Sequence, residues 1–277
     1  MELPKTSLII SVYKNTKNLK VILDSLAYQT VLPDEVIISE DGNSLEMKSF
    51  LDEYSGDIPL VHSTQEDIGW QKNKALNNAV ISAKYEYLIF IDGDCVLHNK
   101  FIKNHQALAH SNHILAGKRV KLGPKYSDLL FNTPLPEFQR KIITDINAIF
   151  KDDVRFYEEA LYIPLNPITR TIIRKLGISG IKGCNFSCYK STILAINGFD
   201  EDFITPAVGE DHDLEWRFKG LGYEIVSIKH FAIQYHLYHK QNWTSSEENF
   251  KLSRKKERAK TYVCLNGIKE HKQSIDS

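Results

Sequence analysis

The start of the chain alternates between two apolar rhythms. "SLIISVY" (7–13) is a short, β-branched run of strand type. "NTKNLKVILDSLAYQT" follows, with Leu19, Ile22, Leu23 and Leu26 on one helical face and Asn15 or Thr16 placed to cap its start. "DEVIISEDG" (34–42) predicts a second strand that ends in acid and glycine, and "SLEMKSFLDEYSG" returns to helical spacing through Met47, Phe50, Leu51 and Tyr54. "IPLVHST" (58–64) reads as a third strand, and "WQKNKALNNAVISAK" (70–84) as a helix with Ala75, Leu76, Ala79 and Val80 inward. In "YEYLIFIDGD" the run Tyr87 to Ile91 is almost all apolar and predicts a buried fourth strand that leaves the core straight into Asp92 and Asp94.

Strand–helix alternation of this kind predicts an α/β fold with a mostly parallel central sheet flanked by helices. Ligands in such sheets bind beyond the carboxyl ends of the strands. The polar residues just past each strand are therefore the candidates: Ser11 and Tyr13, Glu40 and Asp41, the Gln65–Asp67 turn, then Asp92 and Asp94.

The rhythm breaks over 121–178, a charged segment with prolines at 124, 134, 136, 164 and 167, which predicts an inserted helical segment of two or three helices with loops. Its aromatics, Tyr126, Phe131, Phe138, Phe156, Tyr157 and Tyr162, suit either ordinary packing or the shaping of a binding surface. Regular patterning returns at "IKGCNFSCYKSTILAINGF". "GEDHDLEWRFKGLGYEIVSI" then predicts an acidic loop, a helix with Leu214, Phe218 and Leu221 inward, and a strand. Residues 244–277 are polar and predict a solvated helix or tail; its "RKKERAK" (254–260) also suits peripheral contact with an anionic membrane.

With 277 residues, 42% of them hydrophobic, the chain can build one large domain or a domain with an extension. Its 35 Lys plus Arg and 35 Asp plus Glu cancel, which argues against a dedicated nucleic-acid binder. "MELPKTSLIISVY" does not have the form of a signal peptide, and no apolar run is long enough to span a bilayer. Of the four cysteines, Cys95, Cys184, Cys188 and Cys264, only "CNFSC" forms a close pair, with no second pair to complete a zinc site; scattered thiols fit a reducing cytoplasm.

Four stretches carry chemistry. "DGD" (92–94) can set two hard oxygen ligands on one side of a tight turn, suiting Mg²⁺ or Mn²⁺, or it can be a solvated turn. "GEDHDLEWR" (209–217) gathers Glu210, Asp211 and Asp213 at a helix start, where they favour the helix dipole or could hold a general base. "YHLYH" (235–239) offers His236, the first choice as a metal ligand, and His239. "GWQKNKA" (69–75) puts Lys72 and Lys74 at a helix start suited to phosphate, or to a solvated polar face.

Taken in order, "SLIISVYKN", "EVIISEDGN", "GWQKNKALNNA", "YLIFIDGDCVLH", "KGCNFSCYKSTILAINGFDE", "GEDHDLEWR" and "YHLYH" resemble the inverting glycosyltransferases of family 2, with GT-A fold, and the C-terminal segment of galactosyl- and N-acetylgalactosaminyl-transferring relatives. The resemblance covers roughly 7–120 and 180–240, and not 121–178 or the tail. It implies a GT-A domain over 1–243: a nucleotide-binding half over 1–120, a helical acceptor-side insertion over 121–178, an acceptor and catalytic half over 179–243, and a polar helix or tail over 244–277. It further implies Ser11, Tyr13 and Asp41 near uracil and ribose, with Glu40 standing where aspartate is usual. Lys72, with Lys74 behind it, is expected on the diphosphate. Asp92 would face the ribose, Asp94 and His236 would hold Mn²⁺ or Mg²⁺, and Asn185 and Glu210 would lie on the donor side, with Asp211 as the base.

The function this implies is metal-dependent, inverting transfer of a sugar from a UDP-sugar to a hydroxyl of a glycan or lipid-linked saccharide in cell-surface polysaccharide synthesis. A single base separates such a site from a glycosidase, which needs two flanking carboxyls. A sugar-nucleotide nucleotidyltransferase would be expected to carry a Gly-rich N-terminal loop, and "SVYKNTKN" has no glycine. A non-catalytic nucleotide- or sugar-binding domain would have no need of "GED" beside "DGD".

Overall fold

β1 (Thr6–Val12) lies between β2 (Glu35–Glu40) and β4 (Tyr87–Asp92), parallel to both, and is shielded on both faces. The computed structural model describes residues 2–145, 149, 151–176, 180–206, 209–240 and 247–269. Its main sheet has seven strands in the order β3-β2-β1-β4-β8-β6-β9, where β3 is Leu60–Ser63, β6 His113–Ala116, β8 Asn185–Tyr189 and β9 Glu224–Ser227. Only β8 runs against its neighbours, β4 and β6. A second sheet of three short strands joins β5 (Cys95–Leu97), β10 (Gln234–His236) and β7 (Val120–Lys121), with β10 in the middle.

The two-residue period of β1 sends Leu8 and Ile10 to one core and Ile9 to the other. On the first face α1 (Thr16–Leu26) buries Leu19, Ile22, Leu23 and Leu26, and α2 (Leu45–Glu53) buries Met47. On the second, α3 (Lys72–Ser82) buries Ala75, Leu76, Ala79 and Val80. Asn15 caps α1 by accepting the N–H of Asn18 at 3.0 Å. The short helix α4 (Phe101–Ala107) adds Phe101 and Ile102 to the first core.

The inserted segment folds as α5 (Pro124–Asn132), α6 (Leu135–Thr144), a 3₁₀ turn at Tyr157–Ala160 and α7 (Pro167–Leu176). Tyr126 and Phe138 serve packing: their rings meet edge to face at 6.5 Å, and Phe138 meets Tyr235 at 5.1 Å. Past α8 (Lys190–Ala195) comes α9 (Glu210–Gly220), which buries Leu214 and Phe218 as its spacing predicts. Leu221 is instead exposed, because the helix ends there; the ring of Tyr223 packs edge-on against Phe218 at 6.0 Å.

The polar segment after residue 243 is not a free tail. α10 (Glu247–Ala259) docks through the buried Asn249 and Ser253, and Lys256 Nζ reaches Asp200 and, at 2.6 Å, Asp202. Cys264 is buried beyond it, and Ile268 joins the second core. Hydropathy conceals this docking because polar and charged side chains make the contact.

Two imidazoles are buried in the first core. His105 lies between Ser187 Oγ, 2.8 Å from Nδ1, and Asn185 Oδ1, 3.2 Å from Nε2, and burial lowers its pKa to about 3. Burial, helped by Lys100, lowers that of His98 to about 4. Both pKa values are depressed below the unfolded value. Below that value the unfolded chain binds more protons, so stability falls as pH drops toward the folded values, by up to about 1.4 kcal/mol per pH unit for each ring. The urea midpoint is therefore expected to be markedly lower at pH 5 than at pH 7, with a shallower drop in His105→Asn. Equal wild-type midpoints at the two pH values would refute this.

Candidate functional site

β1, β2 and β4 end together, with Ser11 opposite Asp92 and Val12 opposite Glu40. The candidates after these strands thus meet at one sheet edge. The turn after β4 is tight: the Gly93 N–H donates to Ser11 O at 2.7 Å, and a Cβ on Gly93 would come within 2.8 Å of that oxygen. Asp92 projects to Lys72 at the start of α3, with Nζ 2.7 Å from Oδ1.

Asp94 turns the other way, toward β10. Its Oδ2 lies 3.2 Å from His236 Nε2 and 3.3 Å from His239 Nε2. The backbone fixes this meeting, since Cys95 pairs with His236 and the Leu237 N–H donates to Asp94 O at 2.8 Å. Burial raises the Asp94 pKa, but the hydrogen bonds from His236 and His239 outweigh it and hold the carboxyl well below its usual range. One ligand atom from each of Asp94, His236 and His239 falls within a common 4.8 Å. A carboxylate and two imidazoles suit a divalent transition metal and leave further positions open, so these residues fit a cation such as Mn²⁺. The sequence offers both histidines with His236 first; the structure brings both to Asp94.

Two adjoining clefts share the wall made by Trp70, Lys72, Asp92, Asp94 and His239. The first, of about 690 Å³, is lined by Ser11, Tyr13 and Asp41. Asp41 accepts from Gln65 Nε2 and from the Gln71 N–H, both at 2.8 Å; burial raises its pKa against these bonds. Glu40 is buried behind it, bonded to His62 Nε2 at 2.8 Å and the Ser44 N–H at 3.0 Å, a bracing position.

The second cleft, of about 540 Å³, contains Asp211 in the first turn of α9. Its Oδ1 accepts the Gly183 N–H at 2.7 Å, and a Cβ on Gly183 would come within 2.7 Å of that same oxygen. Burial raises the Asp211 pKa, opposed by the charge of Lys72 and the Gly183 bond. A carboxylate with a raised pKa at a cleft wall is the type of group that takes a proton.

Three expectations need adjustment. Asn185 lines neither cleft: it is fully buried, donating Nδ2–H to Lys118 O at 2.7 Å and Ala232 O at 3.0 Å, so it braces two backbones rather than facing the donor. Lys74 borders a separate cavity with Glu201 and Asn266, which leaves Lys72 as the lysine at the acids. The side chain of Glu210 lies outside the described residues. Trp70, Arg119 and Cys184, not singled out from the sequence, also line the second cleft; Arg119 Nη1 donates to Cys184 Sγ at 2.8 Å.

The family model described as "Glycosyl transferase family 2" matches residues 7–156, and one described as "N-terminal domain of galactosyltransferase" matches 168–240. The chain is 24% identical over 236 residues to chondroitin synthase of Escherichia coli, covering 83% of this chain and 34% of that protein. It thus spans about a third of that relative's length. Among solved structures, GalNAc-T7 with UDP, GalNAc and Mn²⁺ superposes with a TM-score of 0.60 at 12% identity, over 91% of this chain and 47% of that one. S. aureus TarS 1–349 in complex with UDP-GlcNAc superposes with a TM-score of 0.56 at 17% identity, over 90% of this chain and 64% of that one. At these identities the likeness concerns the fold, which is that of the GT-A glycosyltransferases.

Proposed function

Because the chain belongs to glycosyl transferase family 2, we propose that it moves a sugar, with inversion, from a UDP-sugar to a hydroxyl of a glycan or lipid-linked saccharide, as in cell-surface polysaccharide synthesis. The observation that carries this reading is the convergence of Asp94, His236 and His239, in one cleft with Lys72, Asp92 and Asp211. UDP-bearing structural relatives support a uridine donor.

In this reading the first cleft takes the nucleoside, with Asp41 and Tyr13 toward the base and Asp92 toward the ribose. Asp94, His236 and His239 would hold a divalent cation, whose chemistry is to neutralise charge on the departing diphosphate. Lys72 adds a positive charge at the shared wall. Asp211 takes the proton from the acceptor hydroxyl, whose oxygen attacks the anomeric carbon opposite the leaving group. Bracing by the Gly183 N–H keeps one Asp211 oxygen fixed, while the other has no hydrogen-bond partner among the described residues and takes that proton.

The test is UDP release from a panel of UDP-sugars with and without Mn²⁺. Turnover of at least one, dependent on the metal, is expected. A protein that binds UDP-sugar and Mn²⁺ yet never turns over, whatever saccharide is supplied, would be a binding domain instead.

No helix of the described residues is long and apolar enough to cross a membrane. Peripheral contact at the cytoplasmic face would use the exposed Arg254, Lys255, Arg258 and Lys260 of the 254–260 run, since Lys256 is engaged by Asp200 and Asp202. Each exposed cation contributes about 1 kcal/mol near an anionic surface. Arg254→Glu with Lys255→Glu should abolish sedimentation with phosphatidylserine vesicles; unchanged sedimentation removes this role from the run.

A further inference from the structure

β10, β7 and the chain at Arg155 lie side by side. His236 pairs with Lys121, and Lys121 exchanges both backbone hydrogen bonds with Arg155 at 2.9 Å. Three cationic or ionisable residues therefore stand in a row across adjacent strands, and all three line the second cleft. The row begins at a proposed metal ligand and runs outward. With strands about 4.8 Å apart, the Arg155 backbone sits about 10 Å from that of His236.

Like charges directly opposite each other across strands repel. Compensation is uneven, and the acid that supplies it, Asp153, lines the same cleft. Asp153 holds Arg155 through Nε–Oδ1 at 3.2 Å and Nη2–Oδ2 at 3.1 Å, but Lys121 has no ion-pair partner among the described residues. Burial, then Arg119 and Arg155, lower the Lys121 pKa, opposed by Cys184 and Asp94. Lys240 adds another charge to the same cleft, while Tyr238 offers a ring for a sugar face. The nucleotide-side cleft contains neither Lys121 nor Arg155. Arg155 stands one strand farther from His236 than Lys121 does, so the row leads from the metal end of the cleft toward whatever enters beyond it.

We propose that Lys121 and Arg155 form a subsite for an acid group, carboxylate or phosphate, on the acceptor saccharide. The assignment rests on the transferase reading above, because that reading puts the nucleotide in the first cleft. The acid group needs no chemistry of its own: it anchors the acceptor electrostatically so that a hydroxyl faces Asp211.

The experiment measures, by NMR titration of the protein saturated with UDP and Mn²⁺, the affinities of glucuronate, glucose 6-phosphate and glucose. At least one acid is expected to bind on the order of tenfold more tightly than glucose. The stronger acid identifies carboxylate or phosphate as the natural group. Lys121→Met, which retains the side-chain stem, should erase the preference while UDP and Mn²⁺ bind within about threefold of wild type. No preference for either acid, or a preference that survives in Lys121→Met, overturns the subsite. A preference for UDP-glucuronate over UDP-glucose that disappears in Lys121→Met moves the charge to the donor sugar and overturns the acceptor assignment. Failure of UDP and Mn²⁺ to bind wild-type protein removes the transferase reading itself, a result distinct from binding of UDP without acid preference.

Discussion

Asp211→Asn is expected to bind UDP-sugar and Mn²⁺ within a few fold of wild type, yet to lose turnover on the order of 10²–10⁴-fold, as for loss of a general base. That loss corresponds to about 3–5 kcal/mol of transition-state stabilisation. The amide keeps the size of the carboxylate, and its oxygen can still accept the Gly183 N–H now bonded at 2.7 Å. What it lacks is basicity. Burial raises the Asp211 pKa and Lys72 opposes it, so the carboxylate stays a useful base without being stripped of proton affinity. Calorimetric titration beside transfer rates separates the two effects. If Asp211→Asn loses donor binding as severely as a metal-ligand variant, Asp211 holds metal or sugar and the base is another group.

Asp94→Asn should show the opposite division. The lost charge is the anionic member of the Asp94, His236 and His239 set. Mn²⁺-dependent donor affinity should fall at least on the order of 10²-fold, the upper range reported for changes merely around a metal site. Affinity for UDP without metal should change little, since the proposed nucleoside contacts, Ser11 and Asp41, are other residues of the first cleft. The fold should survive, because Asp94 sits at a cleft wall and its backbone bonds to Leu237 and β10 do not need the charge. Donor affinity in Mn²⁺ that matches wild type would remove Asp94 from the metal site.

The parallel half of the fold is legible because its strands and helices obey clean periods. Leu8 and Ile10 alternate with Ile9, and α1 repeats its apolar residues every third or fourth position. The carboxylates are legible for a related reason: Asp92 and Asp94 interrupt an apolar run at the place where a parallel strand must end. His239 is harder, because nothing local says that β10 will bring it to Asp94; that depends on pairing between Cys95 and His236, distant in the chain. Asn185 misleads because the resemblance of its "GCN" segment implies a place on the donor side, whereas here the amide satisfies buried carbonyls. Arg119 and Lys121 carry no motif, and only the small sheet sets them in the cleft.

The docking of α10 makes the order of synthesis matter. The first part of the main sheet can pair β1 through β4 from one contiguous stretch, as soon as that stretch leaves the ribosome. Asp200 cannot meet its lysine until 56 further residues have been made. Until then the Asp200 carboxylate, buried in the finished fold, lacks its lysine just ahead of the segment leading to Asp211, and burying it without that cation is costly. A nascent chain would thus set Ser11, Asp41 and Asp92 at their common sheet edge early and bring Asp211 to Gly183 last.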